Sequence, residues 1–411
     1  MVAEQPQPTF QQTEVGPIPS DWEVRSIGDF AIKVGSGKTP TGGERVYRTN
    51  GRPFVRSQNI GWGQLLLSDI AYIDEQTHSS FIGTEIQNND VFLNITGASI
   101  GRSAISNNKL VGGNVNQHVC IIRLNQGLDN PGYLNHFLLS EKGQNQISDF
   151  QTGGNRQGLN FSQIKTILVP LPPTLAEQTA IANALSDADA LITRLETLIA
   201  KKKAVKQGAM QELLRPKEGW EVKKLGEVVE KIVGGGTPAR SNATFWNGSI
   251  PWITVKDFAT FNPYSAQEYI TKEGLRHSSS NLIPKGTLVT STRMALGKAV
   301  IYAVDVAINQ DLKAIFPKPT IDVKYLFYWF ESRSELLADM GSGSTVMGIS
   351  LADLKKLSFD TPELSEQTRI AQILSDMDAE IEKLEARLAK QRQLKQGMMQ
   401  ALLTGKIRLT P

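Results

Sequence analysis

Val34-Gly-Ser-Gly-Lys38-Thr39 ends in the Gly-Lys-Thr of a phosphate-binding loop, the first place to look for chemistry in this chain. Such a loop needs an earlier glycine, separated from Gly37 by four residues, and that position holds Ile32. Pro40 would fall in the first turn of the helix meant to receive the phosphates, and the matching stretch Gly234–Pro238 has no lysine. A Gly-rich turn between strands is the better reading. Asn130-Pro-Gly-Tyr133 and Asn262-Pro-Tyr264 both depart from the Asn/Asp-Pro-Pro-Tyr motif of amino-methyltransferases, and no strand is followed by Gly-x-Gly-x-x-Gly. His78, His118, His136 and His277 lie far apart without ligand spacing, and Cys120 is the only cysteine, which excludes an intramolecular disulfide or a thiolate cluster. No Ser/His/Asp set and no His-Glu-x-x-His is present, and no carboxylate pair recurs in both halves. The expectation is a chain that catalyses nothing and carries no metal or cofactor of its own.

What remains is recognition. Side chains suited to base edges and phosphates fall twice, at matching points of two halves. Arg56, Gln58 and Asn59 follow an apolar run in the first half, and Lys256 with Asp257 takes that place in the second. Asn116-Gln117 answers Asn309-Gln310, and Thr96 with Arg102 answers Thr292, Arg293 and Lys298. Lys38 adds a cation to the first half, while Arg156-Gln157 and Ser344-Thr345 lie in the Gly-rich stretches that close each half. Arginine pairs with guanine, and Asn or Gln with adenine, through bidentate major-groove bonds. Turn amides and hydroxyls hold phosphates. Taken singly, an Asn-Gln pair at a strand start serves a turn equally well; the recurrence is what favours binding.

Positioning these loops is the work of an internal repeat. Residues 173–214 lie over 362–403 without a gap, identical at 24 of 42 positions. Both copies lack internal proline and are rich in Ala, Leu, Glu, Lys and Gln, so each reads as one long helix. Ile181, Leu185, Ala188, Ile192, Leu195 and Ile199 step by fours and threes, as do Ile370, Leu374, Met377, Ile381, Leu384 and Leu388. That is a heptad seam, and it predicts an antiparallel coiled coil, each rod about 60 Å long at 1.5 Å per residue. Gly208 and Gly397 interrupt the helices at equivalent points, where glycine costs about 1 kcal/mol relative to alanine. Their recurrence predicts a close approach by another backbone, that of the partner rod or of another subunit.

The segments between the rods repeat more loosely. Trp22 answers Trp220, Thr39-Pro40 answers Thr237-Pro238, and Tyr133-Leu134 answers Tyr325-Leu326. Short apolar or alternating runs bounded by Gly, Asn and Pro predict strands, with one amphipathic helix per copy. The expected fold is α+β: mixed α/β globular domains at 1–172 and 216–361, separated by repeat helices at 173–215 and 362–411, in a pseudo-twofold, circular arrangement.

Composition sets limits on partners. With 411 residues, 40% hydrophobic and 21% charged, the chain holds two or three ordinary cores. Lys and Arg number 44 against 41 Asp and Glu, a net charge of +3 with no basic arm, so any grip on DNA must come from local clusters or from partners. No apolar run has the length of a membrane span, and the opening residues lack the order of a signal peptide, which predicts a cytoplasmic protein.

Two variable domains alternating with two near-identical helices, opening Pro-x-Leu-x-Glu-Gln (173–178, 362–367) and ending Lys-Gln-Gly-x-Met-Gln-x-Leu-Leu, resemble the specificity subunit of type I restriction–modification systems. The Trp22 and Trp220 starts and Leu403-Thr-Gly-Lys-Ile-Arg408 add to the resemblance, which covers essentially the whole chain. It implies a non-catalytic subunit whose two target recognition domains read a bipartite double-stranded DNA target. It also implies two adenine-N6 methyltransferase subunits using S-adenosylmethionine, and two restriction subunits that use ATP and Mg. Glu177, Gln178, Gly208, Glu366, Gln367 and Gly397 are then the expected subunit interface. The weak similarity between the two domains implies an asymmetric target. A methylation-only complex and a two-lobed coiled-coil scaffold without DNA remain as alternatives at this point.

Overall fold

The computed structural model describes residues 9–81, 83–125, 127–151, 158–342 and 348–409. Contacts divide the chain into two units, Met1–Glu196 with Ala386–Pro411, and Thr197–Glu385.

After a short two-stranded ribbon of Phe10–Gln11 and Ile18–Pro19, the first unit holds β1 (Glu23–Ser26), β2 (Ala31–Ser36), β3 (Arg52–Val55) and β4 (Ala71–Ile73). Next come β5 (Val91–Asn94), β6 (Ser103–Ile105), β7 (Asn114–Val115) and β8 (Val119–Leu124). Helices α1 (Pro131–Leu139) and α2 (Glu141–Asp149) lead to β9 (Leu168–Leu171) and the long helix α3 (Leu175–Leu213). Strands β2-β8-β5-β6 form an antiparallel sheet, β4-β3-β7 a second, and β1-β9 a pair that ties the two ends of the domain together. β3 runs parallel to β7, Val55 opposite Val115. Asn130 caps α1 by accepting a bond from the Tyr133 amide, with Pro131 in the first turn, where a missing N–H costs nothing.

The second unit repeats this plan. It holds β10 (Glu221–Lys224), β11 (Val229–Gly234), β12 (Trp246–Ile253), β13 (Glu268–Ile270), β14 (Leu282–Ile283) and β15 (Leu288–Ser291). β16 (Ala299–Ile301), β17 (Val306–Ile308), β18 (Leu312–Pro317), α4 (Val323–Ser332), α5 (Ser334–Ser342) and β19 (Ser358–Thr361) follow, with the stretch of the long helix α6 (Leu364–Leu402) up to Glu385. The sheet β11-β18-β15-β16 has the order of its counterpart, and β12 runs parallel to β17 as β3 does to β7. β14 adds an edge strand to the second sheet, where the first unit has only an isolated bridge from Glu85 to Asn114. The predicted α+β fold with long helices is observed.

Both seams are apolar and turned inward, but they do two jobs. Ile181 and Leu185 join the core around Trp22, Tyr133 and Phe137; Ile370 and Leu374 join the core around Tyr325, Trp329 and Phe359. Within the first unit, Asp189 pairs with Lys395 at 2.5 Å and Glu196 with Arg392 at 2.6 Å. Within the second, Lys202 pairs with Glu380 and Lys203 with Glu385, both at 2.7 Å, and Lys206 with Asp378 at 2.7 Å. In each unit the partner on α6 stands earlier in the chain as the residue on α3 stands later, apart from the neighbouring Lys202 and Lys203, so the helix stretches run antiparallel.

The tail of α6 closes the first unit on itself. Arg408 Nε and Nη2 donate to both oxygens of Glu177 at 2.6 and 2.8 Å, and Nη1 and Nη2 donate to both oxygens of Asp21 at 2.9 Å. Glu177 is only 1% exposed, and the guanidinium lies over the Trp22 ring. Two carboxylates holding one fork raise the Arg408 pKa above its ordinary value.

Candidate nucleic-acid interface

In the first unit three loops meet at one end of the β3-β7 pair. β3 runs into Arg56–Asn59, β5 into Thr96–Arg102, and β7 into Asn116–His118. Backbone bonds join them: the Asn116 amide donates to Val55 O at 2.9 Å and the Ile95 amide to His118 O at 3.0 Å, while the Asn94 side-chain amide donates to Ser57 O at 2.8 Å. The second unit assembles the same cluster, with the Asn309 amide on Ile253 O and the Thr292 amide on Asp311 O, each at 3.0 Å. Residues distant in sequence are thus neighbours at matching points of both units.

The Gly-rich turns belong to this framework. A Cβ at Gly37 would lie 1.6 Å from Val115 O, and one at Gly235 would lie 1.9 Å from Ile308 O. Each turn is pressed against a strand backbone, which accounts for its glycine without any phosphate. Lys38 follows on the surface.

Burial then divides the expected contact residues into two sets. Asn59, Asn116, Asp257, Thr292 and Asn309 are 7% exposed or less. Asn59 Nδ2 donates to Leu66 O and Asp69 O, and its Oδ1 accepts from the Arg56 amide. Asp257 accepts from the Thr254 and Gln267 amides, both at 2.8 Å. Asn116 accepts from the His118 amide, Asn309 from the Asp311 amide, and Thr292 Oγ1 donates to Asp311 O. These five hold turns, because a buried polar group must find its bonds inside the fold. Their side chains are engaged inside the fold and support the exposed residues beside them.

Arg56 is tied down as well. Its Nη2 donates to Asp69 at 2.8 and 3.2 Å, the guanidinium lies over Tyr47, and the side chain is 13% exposed. Gln58, Gln117, Lys256, Arg293, Lys298 and Gln310 stand exposed around the clusters, with Arg102 half-buried and Thr96 bonded to the His118 ring. In both Asn-Gln pairs the asparagine builds the turn and the glutamine faces out. Arg156, Gln157, Ser344 and Thr345 lie outside the described residues.

The second unit adds a cleft of about 570 Å³, lined by Lys256, Met294, Lys298, Asn309, Gln310 and Asp311 among others. Beside it Arg240 lies 3.8 Å over the Trp246 ring and 5.1 Å from that of Trp252, held by Glu268, whose bond to the guanidinium lowers the carboxyl pKa. Sequence reading did not single out Arg240, Trp246 or Glu268. A Trp-x5-Trp run after an Arg was the available signal, and it reads equally as core.

The expected interface residues on the helices divide too. Gln178 accepts from the Asn130 amide, Gln367 accepts from the Asp322 amide and donates to Thr320 O and Pro362 O, and Glu177 holds Arg408. All three are 4% exposed or less, so their polar ends lock helix to domain and cannot face a partner. Glu366 accepts from Lys217 and from the Trp220 indole. Among the described residues, no atom beyond the neighbouring turns of the same helix stands within 4 Å of a Cβ placed at Gly208 or Gly397. The partner helix therefore does not explain these glycines, and the expectation of a close helix–helix approach is corrected. Exposed Val205 and Leu394 lie three residues before them, at equivalent points of the repeat.

Cys120 is buried in β8, where burial pushes its thiol up to about 12, so it stays protonated and unreactive. Among the described residues no three His, Cys, Asp or Glu side chains are grouped to hold a metal, and no helix is long and apolar enough to cross a membrane.

Comparison with known proteins agrees with the repeat. A family model for the type I restriction modification DNA specificity domain matches residues 19–207 and again 217–391. A type I restriction enzyme specificity subunit of Escherichia coli is 35% identical over 263 residues, 61% of this chain and 65% of that protein, so the match spans just under two thirds of the relative. One from Methanocaldococcus jannaschii is 26% identical over 438 residues, 95% of this chain and 94% of the relative. A solved type I restriction–modification S subunit from M. genitalium is 14% identical with a TM-score of 0.62, covering 97% of this chain and 99% of that one. At that identity it speaks for the fold alone.

Proposed function

The chain belongs to the type I restriction modification DNA specificity family, and from that premise we propose that it is the specificity subunit of a type I restriction–modification complex. Each unit reads one half of a bipartite double-stranded DNA target. The observation that carries this reading is the split just described. Both units build a matching loop cluster on buried polar residues and place different side chains at two of its three points, exposed Gln58 and half-buried Arg102 in one and exposed Lys256 and Lys298 in the other, with an exposed glutamine, Gln117 or Gln310, at the third. One scaffold with two sets of tips is what an asymmetric target requires.

The chain itself supplies recognition and assembly, and the reaction belongs to its partners. Two adenine-N6 methyltransferase subunits with S-adenosylmethionine, and two restriction subunits using ATP and Mg, are the partners of this reading, working in the cytoplasm. Val205 with Gly208, and Leu394 with Gly397, offer each methyltransferase an apolar step beside a glycine, open to solvent in the isolated chain. The modest net charge of +3 suits a subunit whose partners share the phosphate contacts.

The test is adenine-methylation sequencing of DNA from cells that carry the partner methyltransferase with and without this chain. The expected result is a single motif of two short, dissimilar halves with a fixed, indifferent spacer, present only with the chain. A motif that persists without the chain contradicts the proposal.

A further inference from the structure

The loop after β15 differs from its counterpart in the other unit in one way that framework building does not explain. Thr96-Gly-Ala-Ser-Ile-Gly-Arg102 and Thr292-Arg-Met-Ala-Leu-Gly-Lys298 align without a gap. The first turns on a glycine, Gly97 at φ +69°, and its exposed residues are Gly97 and Ala98, with Ser99, Ile100 and Arg102 half-buried. The second places two successive non-glycine residues in the left-handed region, Met294 at +46° and Ala295 at +45°. L-residues rarely adopt that conformation, and strain of this kind persists only where the surroundings enforce it.

They do enforce it here. Thr292 donates twice to Asp311 O, at 3.0 and 3.1 Å, and its own carbonyl accepts from the Ile349 amide at 2.9 Å. At the other end Thr290 Oγ1 donates to Lys298 O at 2.8 Å, and the Lys298 amide returns to Ala295 O at 3.2 Å. Gly297, at φ +77°, seats the loop so closely that a Cβ would lie 2.5 Å from Ser334 Cα. The tip that results is Met294, 71% exposed at the lip of the 570 Å³ cleft. Around it stand Arg293, Lys298 and Lys256, all exposed cations, with Arg293 3.6 Å from Asp311.

A lone exposed methionine is ordinary on a protein surface. An exposed methionine held on a pinned, strained tip among cations is the arrangement of a side chain that enters the base stack. Proteins that kink duplexes use apolar wedges of this kind, methionine among them, with basic residues on the flanking phosphates. We propose that Met294 inserts between two stacked base pairs of the half-site bound by the second unit, with Arg293 and Lys298 on adjacent phosphates. The other unit, with Gly97 and Ala98 at the same points, leaves its half-site stacked. This inference rests on the DNA-reading function proposed above.

The experiment uses the full chain in complex with its methyltransferase and duplex target, with 2-aminopurine placed singly at successive positions. The methylated adenine of each half and the bases stacked on it are left out of the scan, because the methyltransferase extrudes that adenine for reaction. Wild type is expected to raise the fluorescence at one step of the second unit's half-site and at none in the other half. Met294→Ala is expected to abolish that rise and weaken binding about tenfold, while Met294→Leu, apolar and of similar volume, keeps both. Specific binding with a flat scan, or a Met294→Ala scan equal to wild type, overturns the wedge while leaving the recognition function standing. Wild type that binds no specific sequence overturns both.

Discussion

Beside Trp22, the first unit closes through an ion pair. At the matching point of the second unit, the chain itself runs on from Leu214 through Pro216 to Trp220. The same task, joining the end of a long helix to the start of a domain, is done by Arg408 on Glu177 and Asp21 in one case and by covalent continuity in the other. The two units differ in the same spirit at their joints with the helices. In the first, His136 is buried with Nε2 3.1 Å from Ser186 and Nδ1 4.0 Å from Asp189, which Lys395 neutralises. In the second, Tyr328 donates to Asp378 at 2.8 Å, and Lys206 pairs with that carboxylate. The charged pair is kept and the third member is changed. The frame is duplicated in its turn-holding asparagines and its Gln178 and Gln367 joints, while the closure, the third member of each charged cluster and two of the three loop tips have diverged.

Removing the closure should have the largest effect. Arg408→Ala leaves Glu177 a buried carboxylate without its partner, a loss that costs about 3–5 kcal/mol. Hydrogen exchange resolved by peptide should show the segments around Trp22 and Leu402 opening, with the core around Trp329 unchanged. Equal opening in both units would mean that the closure is not particular to the first.

The joints should respond differently to acid. Burial lowers the His136 pKa from 6.5 to about 4, against the raising influence of Asp189. The unfolded chain therefore binds a proton between pH 6.5 and about 4 that the folded chain refuses. Stability is full above 6.5 and falls as pH drops toward 4, by up to about 3 kcal/mol over that interval. His136→Gln should flatten this part of the melting-temperature profile of the first unit. The same acid slope in the variant would assign it to other groups.

Tip residues should act one half-site at a time. Gln117→Ala should relax one half of the target, and Lys256→Ala or Gln310→Ala the other, each by about 1–3 kcal/mol if the contact is to a base. Competition binding against single-base variants of the target reads this directly. Asn116→Ala or Asn309→Ala should instead lower stability, because the turn loses its internal acceptor.

The smallest change in the isolated chain belongs to the helix glycines. Gly208→Leu with Gly397→Leu should raise helix stability slightly, by less than about 1 kcal/mol per site, since among the described residues no atom beyond the neighbouring turns of the same helix stands near either position. Co-purification with the methyltransferase should nevertheless fall. Unchanged co-purification would remove these positions from the docking surface.

The repeat made much of this legible in advance. An ungapped 42-residue match with heptad spacing specifies two long helices because helical periodicity is local. The recurrence of Asn116-Gln117 and Asn309-Gln310 marked two loops that stand at matching points of the two units, but it could not divide the work within each pair. That division depends on which side chain the β3-β7 or β12-β17 junction buries. Glu177 and Gln178 were legible as important and not as internal, since their partners Arg408 and Asn130 are 231 and 48 residues away. Arg240 over Trp246, and the tip at Met294, depend on loop conformations that no periodicity encodes.

The central claim is that two units read two halves independently. Its most direct measurement is adenine-methylation sequencing with the partner methyltransferase and a chain in which Lys256, Lys298 and Gln310 are all alanine, compared with wild type. One half of the motif is expected to become degenerate while the other half and the spacer length stay as they were. Loss of both halves together, or an unaltered motif at full methylation, would contradict it.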